Sequence, residues 1–138
     1  MIGVLIVTHG DIGTALLHSA SQILDTAQPQ VATLSVWRQD DPDDLILRAR
    51  ELIEGIDAGD GVLVLTDIFG ATPGNVVSRL LDDGHIEGVS GVSLPMLLRV
   101  LTSRNGPDRA TLSAAVQRAK SGGADGVVHM NQDRCCDA

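Results

Sequence analysis

Apolar and polar positions fall into blocks whose period changes along the chain. Ile2 to Val7 is an unbroken, β-branched run, the pattern of a strand covered on both faces. Gly10, Asp11 and Gly13 break it, and Leu16, Ala20, Ile23 and Leu24 then recur along one face of a helix. Val31 to Val36, bounded before by Pro29, predicts a second strand. The acids Asp40, Asp41, Asp43 and Asp44 suit the positive end of a helix dipole, and Leu45, Ala49, Leu52 and Ile53 give that helix its buried face. Gly61 to Leu65 predicts the third strand.

Thr72-Pro73 has the form of an N-cap followed by proline at the first helical position. Val76, Val77, Leu80 and Leu81 carry that helix on until Asp82-Asp83-Gly84 stops it. A fourth, Gly-containing strand is expected over Gly88–Ser93 and a short helix over Pro95–Leu101. After a turn at Asn105-Gly106-Pro107, Leu112, Ala115, Val116 and Ala119 mark the last helix. Gly126–Met130 is expected as a short final strand before a polar tail. Strand–helix alternation with short connections predicts an α/β fold: a doubly wound, mostly parallel sheet with helices on both faces.

Composition narrows this picture. The 138 residues suit one domain with a genuine core. Trp37 and Phe69 are the only aromatic residues, so the core must be built of Val, Leu, Ile and Ala. A net charge of −8 without any basic stripe argues against nucleic acid as a partner. No apolar stretch approaches the roughly 20 residues of a membrane span, and no charged leader precedes the first strand, so a cytoplasmic protein is expected. Cys135 and Cys136 are adjacent in the tail and form no disulfide framework. With His129 they lack the paired spacing of a metal site, and neither metal nor cofactor is expected.

The candidate chemistry lies where strands hand over to helices, the edge at which open α/β sheets bind ligands. Thr8 and His9 follow the first strand, and Gly10 lets a ligand approach the backbone. Thr66 and Asp67 follow the third strand. If the two strands are neighbours, Asp67 would accept a hydrogen bond from one imidazole nitrogen of His9 and leave the other as a nucleophile. Gly70-Ala71-Thr72-Pro73-Gly74 opens a helix whose free N–H groups would hold an anion. Imidazole, orienting carboxylate and anion nest together fit phosphoryl transfer through phosphohistidine. His18 falls off the apolar stripe of its helix and His85 lies in a polar turn, so both are expected at the surface. Trp37 and Arg38 end the second strand on the same edge as His9, where they line the site, dock a protein or pack the rim; Phe69 is a candidate docking anchor.

These residues also carry a resemblance. Val7-Thr8-His9-Gly10, the segment from Thr66-Asp67-Ile68-Phe69-Gly70 through Ala71-Thr72-Pro73-Gly74-Asn75, and Gly91-Val92-Ser93-Leu94-Pro95-Met96-Leu97 keep one order and approximate spacing. They resemble the mannose-family IIA component (the type-4 EIIA domain) of the bacterial phosphoenolpyruvate:sugar phosphotransferase system. The resemblance runs nearly end to end and would make residues 1–130 a single domain, with 131–138 a polar tail. It implies that His9 accepts a phosphoryl group from the phosphocarrier protein HPr and passes it to a IIB component during sugar uptake. It implies that Asp67 orients His9, and that Gly10, Gly70, Ala71, Thr72 and Gly74 bind phosphate. Pro95 and Met96, in the third motif, join Trp37 and Phe69 as candidate docking residues. It further implies a homodimer in which the C-terminal strand, here Gly126–Met130, is exchanged between subunits. Ala71 stands where the family often has Gly, while Thr72 keeps the hydroxyl before the proline. The chain shows no IIB segment, so the acceptor is expected to be a separate protein. Two further readings stay open: a regulatory phospho-sensor in an incomplete phosphotransferase chain, and a non-enzymatic, flavodoxin-like module that binds a small anion or nucleotide.

Overall fold

The computed structural model describes residues 1–105 and 111–132. Four strands form one parallel sheet: β1 (Gly3–His9), β2 (Val31–Val36), β3 (Val62–Thr66) and β4 (Ile86–Val89). Their order across the sheet is β2-β1-β3-β4. The helices between and after them are α1 (Ile12–Leu24), α2 (Pro42–Ile56), α3 (Thr72–Ser78), α4 (Leu94–Arg104) and α5 (Leu112–Asp125).

The central strands alternate between two cores. Leu5, Val7, Val62 and Val64 pack with α2 and α3 residues such as Leu45, Ala49, Ile53, Val76 and Val77 on one face. Val4, Ile6, Leu63 and Leu65 pack with Ala20 of α1, Leu97 and Leu101 of α4, and Ala115 and Ala119 of α5 on the other. The sheet is therefore covered on both sides, as the continuous apolar runs of β1 and β3 require. From β1 the chain moves outward to β2, then crosses back to β3. That reversal puts the topological switch point between β1 and β3, whose C-terminal ends carry His9 and Asp67.

Several boundaries differ from the sequence reading, each for a local reason. Ile23 is 58% exposed, and α1 buries Gly13 and Ala20 with Leu16, Leu17 and Leu24 packed alongside. The fourth strand spans Ile86–Val89 instead of Gly88–Ser93, because Gly91 (φ 79°) turns the chain away and Val92 N–H then bonds to the Thr66 carbonyl (3.0 Å). Gly88 lies inside β4, where a Cβ would come within 3.0 Å of Leu81 and Val77. Helix α3 ends at Ser78, two residues before Leu80, and Ala71 takes the N-cap position. Thr72 is therefore the first helical residue and not the cap. Helix α4 starts at Leu94 and runs on to Arg104, capped by the Ser93 hydroxyl accepting from Met96 N–H (3.3 Å). Gly106 and Pro107 of the expected turn lie outside the described residues.

Gly126–Met130 is not a strand. The segment follows α5 without pairing to β4, and Val127, Val128 and Met130 are 85, 48 and 77% exposed. A strand satisfies its backbone against a neighbouring edge, and among the described residues this segment pairs with neither edge strand, β2 or β4.

At the opposite end of the sheet Arg104 is almost wholly buried and donates to the carbonyls of Ile2 (2.9 Å), Pro29 (2.5 Å) and Gln30 (3.4 Å). It ties the end of α4 to the entry of β1 and β2. Burial pushes its pKa down to about 10, which leaves it charged at neutral pH.

Candidate active site

The site is built on the C-terminal edge of the two central strands. The β1 side chains are buried up to Thr8, and His9 is the first to emerge, with half of its side chain exposed. Thr8 faces the other way and its hydroxyl accepts from Gly13 N–H (2.8 Å), which fixes the β1–α1 turn. Gly10 adopts φ 48° in that turn and donates its N–H to the Val36 carbonyl (3.0 Å). Register pairs His9 with Val36, so the turn after β2 rises directly beside the imidazole.

Asp67 grips His9 at two points. One carboxylate oxygen lies 2.8 Å from His9 Nδ1 and accepts the His9 backbone N–H at 3.0 Å. The other accepts Ile68 N–H at 3.0 Å. Partial burial pushes the Asp67 carboxyl upward. The hydrogen bonds from the His9 ring and backbone, the positive charge of His9 when protonated, and the Ile68 N–H outweigh that push and hold it below its usual 3.8. Asp67 is thus an ionised acceptor at neutral pH, and a neutral His9 must place its proton on Nδ1. The lone pair is then on Nε2.

The half-exposed imidazole borders a cavity of about 490 Å³ lined by His9, Val36, Trp37, Arg38, Asp40, Pro42 and Thr72. Its β2 wall is held rigid. Trp37 N–H donates to the Asp40 carboxylate (2.8 Å), while Asp40 N–H donates to the Trp37 carbonyl (3.0 Å). The Trp37 ring lies against Gly10, where a Cβ would meet it at 3.3 Å. From sequence alone Asp40 reads only as a helix-opening acid. Its signal is its place three residues after Trp37, a spacing at which an Asp side chain reaches back to an earlier backbone N–H.

Of the residues of the turn before α3 that are candidates for phosphate binding, Thr72 reaches this cavity. Gly70 (φ 88°) and Ala71 form the turn before α3, and Ala71 supplies no side-chain cap to that helix. Gly74 is buried, and a Cβ there would come within 2.8 Å of the Ile68 carbonyl. Its role in packing is to let the loop close over α3. Phe69 and Ile68 stand out from this loop, 80 and 56% exposed, and Trp37 is 47% exposed.

The other candidates lie elsewhere. Met96 is 3% exposed, which corrects its reading as a docking residue: α4 turns it into the core with Leu97 and Ala115. Pro95 borders a separate cavity of about 550 Å³, shared with Val89, Lys120, Gly126 and Val127. His18 is exposed on α1, and His129 is exposed after α5. His85 is half-exposed at the other end of the sheet, but its Nε2 pairs with Asp57 (2.9 Å), a partner the sequence reading did not assign. Cys135 and Cys136 lie outside the described residues. Among the described residues no three His, Cys, Asp or Glu side chains are grouped to hold a metal ion. None of the described helices is long and apolar enough to cross a membrane.

Residues 3–120 match the EIIA-man family model, described as the PTS system fructose IIA component. The chain is 32% identical over 127 residues to the mannose-specific EIIAB component of Escherichia coli K12, covering 91% of this chain and 38% of that protein. It is 32% identical over 105 residues to the fructose-specific EIIA component of Bacillus subtilis, covering 75% of this chain and 71% of that one. The chain thus spans well under half the length of the EIIAB relatives it matches. The crystal structure of the phosphotransferase system component EIIA from Streptococcus agalactiae superposes with a TM-score of 0.83 at 27% identity, over 96% of this chain and 99% of that one.

Proposed function

The chain belongs to the EIIA-man family of phosphotransferase-system IIA components, and from that premise we propose that it relays a phosphoryl group through His9. The observation that carries the reading is the 2.8 Å contact between His9 Nδ1 and the ionised Asp67. It leaves Nε2 as a nucleophile on the half-exposed imidazole at the cavity. Phosphorylated HPr is the donor: the Nε2 lone pair forms a bond to phosphorus as the donor's N–P bond breaks and its electron pair returns to the donor. The Nδ1 proton stays in place, and Asp67 stabilises the positive charge that grows on the ring. A IIB component takes the phosphoryl group by the same displacement run onward, in service of sugar uptake, and both encounters take place in the cytoplasm.

The phosphoryl oxygens would be received by Gly10, whose missing Cβ keeps the approach open, and by Thr72 with the uncapped N-terminal turn of α3 beyond Gly70 and Ala71. Trp37 and Phe69 would be the apolar contacts for the partner proteins. The exposed Val127, Val128 and Met130 suit pairing with a second copy, so the working unit would be a homodimer in which Gly126–Met130 becomes a strand on the partner's sheet.

Incubation with phosphoenolpyruvate, enzyme I and HPr, followed by intact mass measurement, tests the central claim. One acid-labile phosphoryl group per chain is expected, absent from a folded His9→Ala protein. Uptake that persists in His9→Ala, or maps to His18, His85 or His129, overturns it.

A further inference from the structure

We propose that Arg38 is a phosphoryl-contacting residue, a counter-charge supplied from the β2 side that holds the oxygens of the group carried by His9. The inference rests on the phosphotransfer reading and adds to it a cation that neither the strand-end histidine nor the α3 loop provides.

Three observations carry it. Arg38 and His9 border the same cavity of about 490 Å³, and among the described residues Arg38 is the only Lys or Arg lining it. Its backbone is preset, because the reciprocal bonds between Trp37 and Asp40 close a turn with Arg38 and Gln39 at its centre. Its guanidinium makes no hydrogen bond or ion pair among the described residues. Arg79, by contrast, is engaged with Asp43 (3.3 Å). A free guanidinium fixed at its base beside a nucleophile is the arrangement that receives phosphate oxygens in a bidentate fork.

The charges around the site explain why such a cation is needed. Asp67 contacts His9, Asp40 lines the cavity, and Asp41, Asp43 and Asp44 stand in the first turn of α2 or at its cap. A phosphoryl group arriving at Nε2 enters this acidic surround with up to two further negative charges. Arg38, which lines the cavity where Asp67 does not, offsets that repulsion.

Phosphorylated wild type, Arg38→Gln and Arg38→Lys are compared by phosphorus NMR titration and by single-turnover transfer across a range of phospho-HPr concentrations. Arg118→Gln, on the exposed face of α5, removes the same formal charge at a distance. A cation in contact favours the dianion, so the second ionisation of the phosphoryl group should move to higher pH in Arg38→Gln. It should move part of the way in Arg38→Lys and stay put in Arg118→Gln. The transfer rate at saturating donor should fall about 10- to 100-fold in Arg38→Gln, below the span of a buried oxyanion donor because Arg38 is exposed. An unchanged titration overturns the proposal. So does a change confined to the donor concentration giving half-maximal rate, which would make Arg38 a docking contact. Failure of wild type to take up phosphate on His9 instead overturns the underlying phosphotransfer reading.

Discussion

Replacing Asp67 by Asn tests whether the carboxylate selects the reactive form of His9. The wild-type carboxylate has two acceptor oxygens: one takes His9 Nδ1–H and His9 N–H, the other Ile68 N–H. Asn offers one oxygen and one NH₂. With its oxygen toward His9, the NH₂ confronts the Ile68 N–H. With its NH₂ toward His9, it opposes the backbone N–H and stabilises the tautomer whose Nε2 carries the proton. Either orientation leaves a backbone donor without its acceptor, at a cost of about 1 kcal/mol in a site that water partly reaches. The kinetic loss is larger, since the lost negative charge no longer balances the developing imidazolium. A slowing of transfer through His9 of about 10²–10⁴-fold is expected, equivalent to roughly 3–5 kcal/mol of barrier. Rapid-quench single turnover from phospho-HPr measures it directly. The pH dependence of stability supplies a second reading. Because the Asp67 pKa is held below its usual 3.8, its contribution to stability is complete above about pH 4 and disappears as pH falls through the lower folded value. Denaturation curves should show a gap between wild type and Asp67→Asn that is constant at neutral pH and closes under acid. A transfer rate within a few-fold of wild type would refute the reasoning and reduce Asp67 to a strand-end cap.

Two other perturbations probe different parts of the molecule. Ending the chain after Gly123 removes the exposed Val127, Val128 and Met130, and sedimentation should show the homodimer lost or severely weakened; a stable full-length monomer, or a truncated dimer of undiminished affinity, would contradict strand exchange. Gly10→Ala places a Cβ at φ 48° and 3.3 Å from the Trp37 ring, and should lower the stability measured by chemical denaturation by about 1–2 kcal/mol while slowing transfer. Trp37 is the only tryptophan, so its fluorescence reports that wall directly, and an unchanged denaturation midpoint would show that the turn yields freely.

The parts of this protein that its sequence disclosed are those where one physical demand dominates. Strands β1 and β3 are buried on both faces, and nothing but an apolar run satisfies that position. Once they are neighbours in a parallel sheet, His9 and Asp67 must emerge together at one edge, so the pairing follows from topology. Boundaries set by competing demands were not legible. β4 is an edge strand of four residues whose start and end depend on how Leu81 and Val77 cover Gly88 and on the turn at Gly91. Met96 is a docking candidate by its place in the third motif, and only the packing of α4 against α5 decides that it faces inward. Gly126–Met130 has strand composition but, among the described residues, pairs with no other strand, so composition alone does not make it one. Arg38 shows the same limit from the functional side. In the sequence it is a strand-end residue on the edge of His9 with site-lining, docking and rim packing all open, and only the register that sets Val36 beside His9 and the Trp37–Asp40 turn decide that it borders the cavity. In the proposed relay the acceptor histidine is positioned by the architecture of the sheet, whereas the counter-charge for its phosphoryl group comes from the turn that follows β2.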